Sequence, residues 1–172
     1  MPRKELPNVP WITKDGSVDM GKIPIEYNFQ SAIGSNRDKA FNSIRIISSA
    51  SCHGRKDASI FLMGLLVGLP PDDWEMRTAV VDALEYTRTE RCVALLISEI
   101  RRIKSSNTTR RYIDQILRVL KRFPEELVKD EIESLAKDDR FSYKMRQKFK
   151  SLFAKPKYQG PLFPDDDFDD WE

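Results

Sequence analysis

The stretch that decides the fold is LMGLLVGLPPDDWEMRTAVVDAL, residues 62–84. It begins with an apolar segment, continues through two prolines and two aspartates, and ends with apolar residues at three- and four-residue spacing. Proline is tolerated in the first turn of a helix, and aspartate accepts the free N–H groups there. The stretch therefore predicts two helices joined by a short turn.

The same arrangement recurs along the chain. Polar turns at Asp72, Ser105 and Asp138 lie 33 residues apart, and each precedes a basic residue and an apolar helix. Apolar spacing predicts about seven helices, near 37–50, 56–68, 74–86, 89–103, 107–122, 125–136 and 141–153. Their expected N-terminal caps are Asp72 and Asp73, Thr89, Asn107 and Ser142. Helical hairpins at a constant period stack on one another and bury their apolar stripes between neighbours.

The repeated unit resembles the HEAT-like repeat family over residues 36–155. The similarity lies in the apolar first helix, the Pro-Asp turn and a second helix that opens with an apolar–Arg pair, here Met76-Arg77 and Met145-Arg146. Arg110-Arg111 departs from that pair in the middle repeat. The period also suits ankyrin or tetratricopeptide arrays, whose TPLH and Trp-x-x-Leu-Gly signatures are missing from the sequence. The resemblance implies an all-α fold, a short right-handed solenoid of helical hairpins whose second helices line the concave face. Most such folds are binding scaffolds, and a minority are DNA glycosylases or chromophore lyases.

Charge and proline content divide the chain into three segments. Residues 1–35 have a net charge of 0, residues 36–155 a net charge of +7, and residues 156–172 a net charge of −5. Prolines are concentrated in the first and last segments. We expect an extended N-terminal arm, a helical repeat domain and an acidic, flexible C-terminal tail.

The arm is too apolar for a simple linker. KDGS, residues 14–17, is a turn signal, and PWIT and IPIEYNF are candidate short strands on either side of it. We expect the arm to pack along the first helices and cap the open end of the array. A hairpin that becomes ordered only on a partner is the alternative.

Composition points to a cytoplasmic protein without a membrane span. No apolar run approaches the roughly 18 residues of a transmembrane helix, and MPRKELPNVP lacks the apolar core of a signal peptide. Two cysteines do not staple a secreted scaffold of 172 residues, so we expect reduced thiols.

No catalytic, metal or cofactor site is predicted. Cys52 and His53 are adjacent, so their side chains point apart, and we expect a buried thiol beside a solvated imidazole. Two cysteines 40 residues apart and one histidine are a weak zinc set. GLLVGLP has no Lys-Ser/Thr after it, so Gly64 and Gly68 are expected to allow close helix packing or to end a helix rather than to hold a phosphate.

Charged residues on the second helices form the candidate binding face. A step of about 100° per residue places three sets of side chains opposite the apolar stripes. They are Glu75, Thr78, Asp82 and Glu85; Arg111, Gln115, Arg118 and Arg122; and Arg140, Lys144, Gln147 and Ser151. The face is thus acidic in one repeat and basic in the next two, which suits a protein partner with both signs of charge.

The tail ends FPDDDFDDWE, residues 163–172, with two aromatics among six carboxylates. Three alternatives stay open: a disordered solubilising tail, a segment that lies on the basic face of its own chain, and an anchor for another protein through Phe168 and Trp171.

These observations favour a non-catalytic protein-binding module, an adaptor, inhibitor or immunity-type protein, that takes no cofactor or small-molecule substrate. Its predicted partner-binding residues are Arg111, Arg118, Arg122, Arg140, Lys144, Phe168 and Trp171. The alternative is a nucleic-acid-binding helical repeat that uses the basic segments 88–122 and 140–157. A glycosylase-type enzyme is a third hypothesis.

Overall fold

Helices account for the regular structure in the described chain, which confirms the all-α prediction. The structure, a computed structural model, describes residues 9–104 and 106–154, without the side chains of Asn107 and Thr108. Eight α-helices lie in these ranges: α1 Glu26–Ala32, α2 Arg37–Cys52, α3 Lys56–Gly68, α4 Trp74–Ala83, α5 Glu90–Arg102, α6 Asn107–Leu120, α7 Glu125–Lys137 and α8 Tyr143–Lys150. A 3-10 turn, Leu84–Tyr86, extends α4. Helices α2 to α8 correspond to the seven that apolar spacing predicts.

Side-chain caps define most of the helix starts. Asp73, Thr89 and Ser142 accept the N–H groups of Met76, Cys92 and Met145, as predicted. The expectations for Asp72 and Asn107 are wrong, since Asp73 is the cap residue of α4. Ser106 caps α6 instead, because its hydroxyl accepts from the N–H of Thr109 while Thr109 accepts from the N–H of Ser106 in return. The predicted turn residue Ser105 and the tail from residue 155 onward lie outside the described residues.

The N-terminal arm is partly helical, which corrects the extended prediction. Residues 26–29 of IPIEYNF form the first part of α1, Glu26–Ala32, rather than a strand. The KDGS turn is confirmed, but the backbone of PWIT pairs with the residues directly beyond that turn, through an antiparallel bridge between Ile12 and Val18, rather than with IPIEYNF. Gly16 is in the left-handed region at φ 87°, which glycine adopts without strain.

Hydrophobic contacts hold the arm on the first helices. Ile25 is fully buried, and α1 packs along α2. The rings of Phe29 and Phe61 stack with centroids 4.3 Å apart, which joins α1 to α3. The guanidinium of Arg55 donates to the carbonyl of Ile23 at 2.8 Å. The expected packing of the arm on the first helices is confirmed, whereas its extended form is not.

Several helices that are two apart in sequence lie side by side. Helix α2 packs against α4 and α4 against α6, while α5 packs against α7. An ion pair between Asp114 and Lys148 joins α6 to α8. We call α2, α4, α6 and α8 the even row, and α1, α3, α5 and α7 the odd row. Apolar side chains from both rows form one buried cluster.

A buried polar cluster ties four elements together. Arg77 of α4 is 2% exposed and donates to the Leu69 carbonyl of the preceding turn at 2.7 Å and to Glu99 of α5 at 2.8 Å. Tyr112 of α6 donates to the same carboxylate at 2.9 Å, and Arg102 donates at 2.8 Å. Burial by itself would raise the pKa of Glu99, but the hydrogen bonds from Arg102, Arg77 and Tyr112 outweigh it and hold the pKa below its usual range. The cluster therefore fixes how α4, α5 and α6 meet.

Candidate functional site

Two clefts cross the even row. One lies between α2 and α4, has a volume of about 570 Å³ and is lined by residues that include Phe41, Arg45 and Glu85. The other lies between α4 and α6, has a volume of about 510 Å³ and is lined by residues that include Arg111 and Arg118. Both clefts share Glu75 and Thr78. The two clefts therefore adjoin along α4, and we call the pair of them the even-row groove.

Three acidic side chains of α4 and the 3-10 turn after it line the groove, and we call them the acidic row of α4. Glu75, Thr78, Asp82 and Glu85, which helical stepping places on one side of this helix, all line the α2–α4 cleft. Glu75 accepts from Arg37 of α2 at 2.9 Å, and Arg37 also donates to Asp73 at 3.0 Å. Glu85 is paired with Arg122 beyond the end of α6. Glu75 and Glu85 are thus each paired with an arginine outside α4.

Asp82 lines the α2–α4 cleft on the side that faces α6, where its carboxyl is only partly buried. Burial raises the pKa of its carboxyl, and the nearby charge of Arg118 and the hydrogen bond from the Gln115 amide reduce that rise without cancelling it. A cation brought into the groove by a partner would stabilise the charged carboxylate, because opposite charges at short range favour ionisation.

The basic side of the groove comes from α6. Arg111 and Arg118 are exposed and line the α4–α6 cleft, while Trp74 and Tyr112 supply its aromatic wall with ring centroids 5.5 Å apart. In the part of the chain that the structure describes, the ion pairs of α6 and the turn after it use Asp114 and Arg122 but neither Arg111 nor Arg118. These two guanidiniums are therefore available to a ligand.

The structure brings together some of the predicted binding residues and separates others. Arg111, Arg118 and Arg122 lie along one helix and its end, beside α4. Arg140 instead pairs with Asp138 in its own turn at 2.6 Å, and Lys144 is exposed on α8 but lines neither cleft. Phe168 and Trp171 lie outside the described residues.

One outward prediction is wrong, and several groove residues were missed. Gln115 is 8% exposed, because its amide turns toward Asp82 on the adjacent helix. Phe41 and Arg45 of α2 line the groove but were not among the predicted residues. Their four-residue spacing on a predicted helix was a usable signal, since residues at i and i+4 share a helix face.

The cysteines and the histidine differ from expectation in one respect. Cys52 is exposed at the end of α2 rather than buried, and the Nδ1 atom of His53 lies 2.7 Å from the Ser49 carbonyl oxygen. Cys92 is the buried thiol, and burial raises its pKa to about 12. Among residues 9–104 and 106–154, no group of three or more His, Cys, Asp or Glu side chains is arranged to hold a metal ion. Within the same residues, no helix has the length and apolar character needed to cross a membrane.

Comparisons with protein-family models, with curated proteins and with solved structures give no match. A function for the chain therefore rests on its own residues and their geometry.

Proposed function

We propose that the chain is a non-catalytic protein-binding module of the adaptor, inhibitor or immunity type that holds another protein in the even-row groove. The observation that carries the proposal is the charge pattern of that groove. The acidic side chains of α4 lie between Arg45 on one side and Arg111 and Arg118 on the other. Acidic and basic side chains that lie next to each other in the groove select a partner with the complementary charge pattern and orient it.

The proposal includes the architecture that would present the groove. The hairpins α3–α4, α5–α6 and α7–α8 are proposed to form a short right-handed solenoid of the HEAT-like kind. Its support is the side-by-side packing of helices two apart in sequence, together with ion pairs between residues 34 to 38 positions apart along the even row. In this arrangement the even row lines the concave side, in the cytoplasm.

Aromatic residues give the groove its anchoring contacts. Phe41 and Tyr86 line the α2–α4 cleft, and Tyr86 is 43% exposed. Trp74 lines the α4–α6 cleft. Aromatic and arginine side chains contribute most of the binding energy in many protein interfaces. A fitting partner would place a basic side chain near Asp82 and acidic side chains near the arginines of α6.

The pairing of several basic residues disfavours nucleic acid as the ligand. Arg122, Arg140, Arg146 and Lys148 are each within salt-bridge distance of a carboxylate. A polyanion in the groove would also face the acidic row of α4. Phosphate contacts need unpaired positive charge along a continuous track, so a protein partner fits this surface better.

The acidic tail, residues 156–172, is proposed as a second contact with the partner. Its six carboxylates and the aromatics Phe168 and Trp171 suit a basic surface with apolar pockets. The same composition would suit the arginines of α6 in its own chain. Truncation distinguishes the two, because a tail that binds in cis blocks the groove and a tail that binds in trans adds affinity.

Affinity purification from the native host, with nuclease present, tests the proposed function. The full-length chain and a version that ends at Gly160 are compared. We expect one stoichiometric protein partner with the full-length chain and weaker capture after truncation. A chain that captures no protein but retains nucleic acid when nuclease is omitted would contradict the proposal. In that case, duplex binding should fall steeply with salt and weaken in Arg118→Ala and Lys144→Ala variants.

A further inference from the structure

A further cleft lies on the odd row, where the N-terminal ends of α3 and α5 come together. It has a volume of about 600 Å³, within the range of roughly 300–1,000 Å³ that small-molecule sites occupy. Its walls come from the end of α2, the first two turns of α3 and the segment 86–91 that leads into α5. We call it the α3–α5 cleft.

Positive charge distinguishes this cleft from the even-row groove. Lys56, Arg88 and Arg91 are exposed and line the α3–α5 cleft together with a single carboxylate, that of Glu90. Among the described residues, none of the three cations is within salt-bridge distance of a carboxylate. The lining therefore has an excess of two positive charges, whereas the α2–α4 cleft has three carboxylates against one guanidinium.

A buried hydroxyl in the same cleft lacks a close partner. Thr87 lines the cleft and is 3% exposed, and its hydroxyl oxygen lies 3.4 Å from that of Ser51. This distance is longer than the range of about 2.5–3.0 Å for hydroxyl hydrogen bonds. Ser51 has a closer partner in the Ser59 hydroxyl, at 2.7 Å. The Thr87 hydroxyl can therefore donate to a ligand that enters the cleft.

The first turns of α3 and α5 add to the positive field of the cleft. Lys56 begins α3, and α5 begins one residue after its cap, Thr89. A helix N-terminus has free N–H groups and a partial positive charge, which both favour an anion. Asp57, in the first turn of α3, is paired with Arg55 at 2.6 Å rather than with the cations of the cleft.

We propose that the α3–α5 cleft binds a phosphate monoester that has an aromatic body. A phosphate monoester has a charge close to −2 at neutral pH, so it balances the excess charge of the lining, whereas a carboxylate leaves part of that charge uncompensated. Arg88 and Arg91 suit its oxygens, because a guanidinium donates two parallel hydrogen bonds to a phosphate.

The aromatic body has an apolar wall to cover. Ile60, Met63 and Tyr86 line the cleft beside the cations, and Tyr86 is 43% exposed, which leaves ring surface for stacking. The ester is a bound ligand and not a substrate. Its binding needs no protein partner, so it is measured independently of the function proposed for the even-row groove.

Isothermal titration calorimetry on the full-length chain tests the proposal. The probes are phenyl phosphate and adenosine 5′-monophosphate, which place the same group on two different bodies, together with inorganic phosphate and adenosine. We expect the better ester to bind with a dissociation constant below about 1 mM, at least about tenfold more tightly than inorganic phosphate or adenosine. Which ester is better shows whether the body is a simple ring or a nucleoside. If neither ester bound at about 10 mM, or if inorganic phosphate bound as tightly, the proposal would be overturned.

Removal of the two guanidiniums tests where the ester binds. Arg88→Ala/Arg91→Ala should fold like the wild type, because both side chains are exposed, and should raise the dissociation constant of the better ester at least about tenfold. Arg110→Ala/Lys121→Ala removes the same charge from exposed positions that do not line the cleft, and should bind like the wild type. Equal losses in the two variants would overturn a site in the α3–α5 cleft.

Thr87→Val tests the buried hydroxyl. Valine has a similar shape but no donor, so the dissociation constant of the better ester should rise about tenfold, the effect of one hydrogen bond to a charged group. The matched control is Thr78→Val, since the Thr78 hydroxyl donates to the Trp74 carbonyl at 2.6 Å and does not line this cleft. A Thr87→Val chain that melts and binds like the wild type would contradict the placement of the phosphate beside Thr87.

Discussion

Replacing Glu99 with glutamine is expected to lower the free energy of unfolding by about 3–5 kcal/mol, the cost of removing one member of a buried ion pair. The Glu99 side chain accepts hydrogen bonds from Arg77, Arg102 and Tyr112. Glutamine keeps the shape but leaves the guanidinium of Arg77, which is 2% exposed, without its counter-ion. Chemical denaturation monitored by circular dichroism measures the change.

Glu131→Gln is the matched control. Glu131 accepts from Arg101 of α5 at 3.1 Å, as Glu99 does from Arg77, but both side chains of this pair are about two-fifths exposed. An exposed pair contributes at most about 1 kcal/mol, so this variant should unfold near the wild-type midpoint. Equal losses in the two variants would show that the buried cluster has no special role in stability.

The free energy of unfolding at acid pH gives a second measurement of what Glu99 contributes to stability. Its pKa in the folded state is lower than the 4.5 of an unperturbed glutamate. A carboxyl whose folded pKa is depressed stabilises the protein above its unfolded pKa, and this contribution disappears as the pH falls through the folded value. The difference between wild type and Glu99→Gln should therefore be constant near neutral pH and shrink below pH 4.5. A difference that grows on acidification would contradict the assignment.

Phe149→Ala is expected to cost about 3–5 kcal/mol, the usual range for deleting a buried aromatic ring. Phe149 is 1% exposed, and its ring meets Phe141 edge to face with centroids 5.2 Å apart. It joins α8 to the turn that follows α7, at the end of the described array. Hydrogen exchange with mass spectrometry should show faster exchange in α7 and α8, while α2 to α4 keep their protection.

The set of helices that lose protection from hydrogen exchange tests whether the hairpins form a solenoid. In a repeat array each unit contacts its neighbours, so a defect in the terminal hairpin unfolds that hairpin first. Ile44→Ala in α2 is the matched variant at the other end: Ile44 is 2% exposed and lines the cleft toward α4, so its removal should affect α1 to α4 instead. Equal acceleration of all helices by either variant would indicate one cooperative unit rather than an array.

Local patterns predicted most of the helices because each has enough turns to show its period. Helix α1 was missed for a physical reason. It has seven residues, too few for a clear period, and it follows Pro24 in a segment that also suits a strand. Its stability comes from tertiary contacts, chiefly burial of Ile25 and stacking of Phe29 on Phe61. No local signal in the sequence reports those contacts.

The sequence could predict which residues share one side of a helix, but not which helices lie next to each other in the groove. Helical stepping placed Arg111 and Arg118 on one side of α6, and the structure places both in the α4–α6 cleft. The same stepping failed for Gln115, because the position of α4 decides which side chains of α6 are covered. Arg110-Arg111 departs from the apolar–Arg pattern, and α6 also differs from α4 in how it reaches the buried cluster. Helix α4 donates to Glu99 through the guanidinium of Arg77, whereas α6 donates to it through the hydroxyl of Tyr112.

The most direct test of the central claim is the affinity of the captured partner for an Arg111→Glu/Arg118→Glu variant, measured by isothermal titration calorimetry. Both side chains are exposed, so the variant should fold normally. If the groove is the binding surface, the dissociation constant should rise at least about 30-fold, equivalent to about 2 kcal/mol. Arg91→Glu/Lys129→Glu, on the outer faces of α5 and α7, should bind like wild type. An unchanged affinity for the α6 variant, or an equal loss in both variants, would contradict binding in the even-row groove.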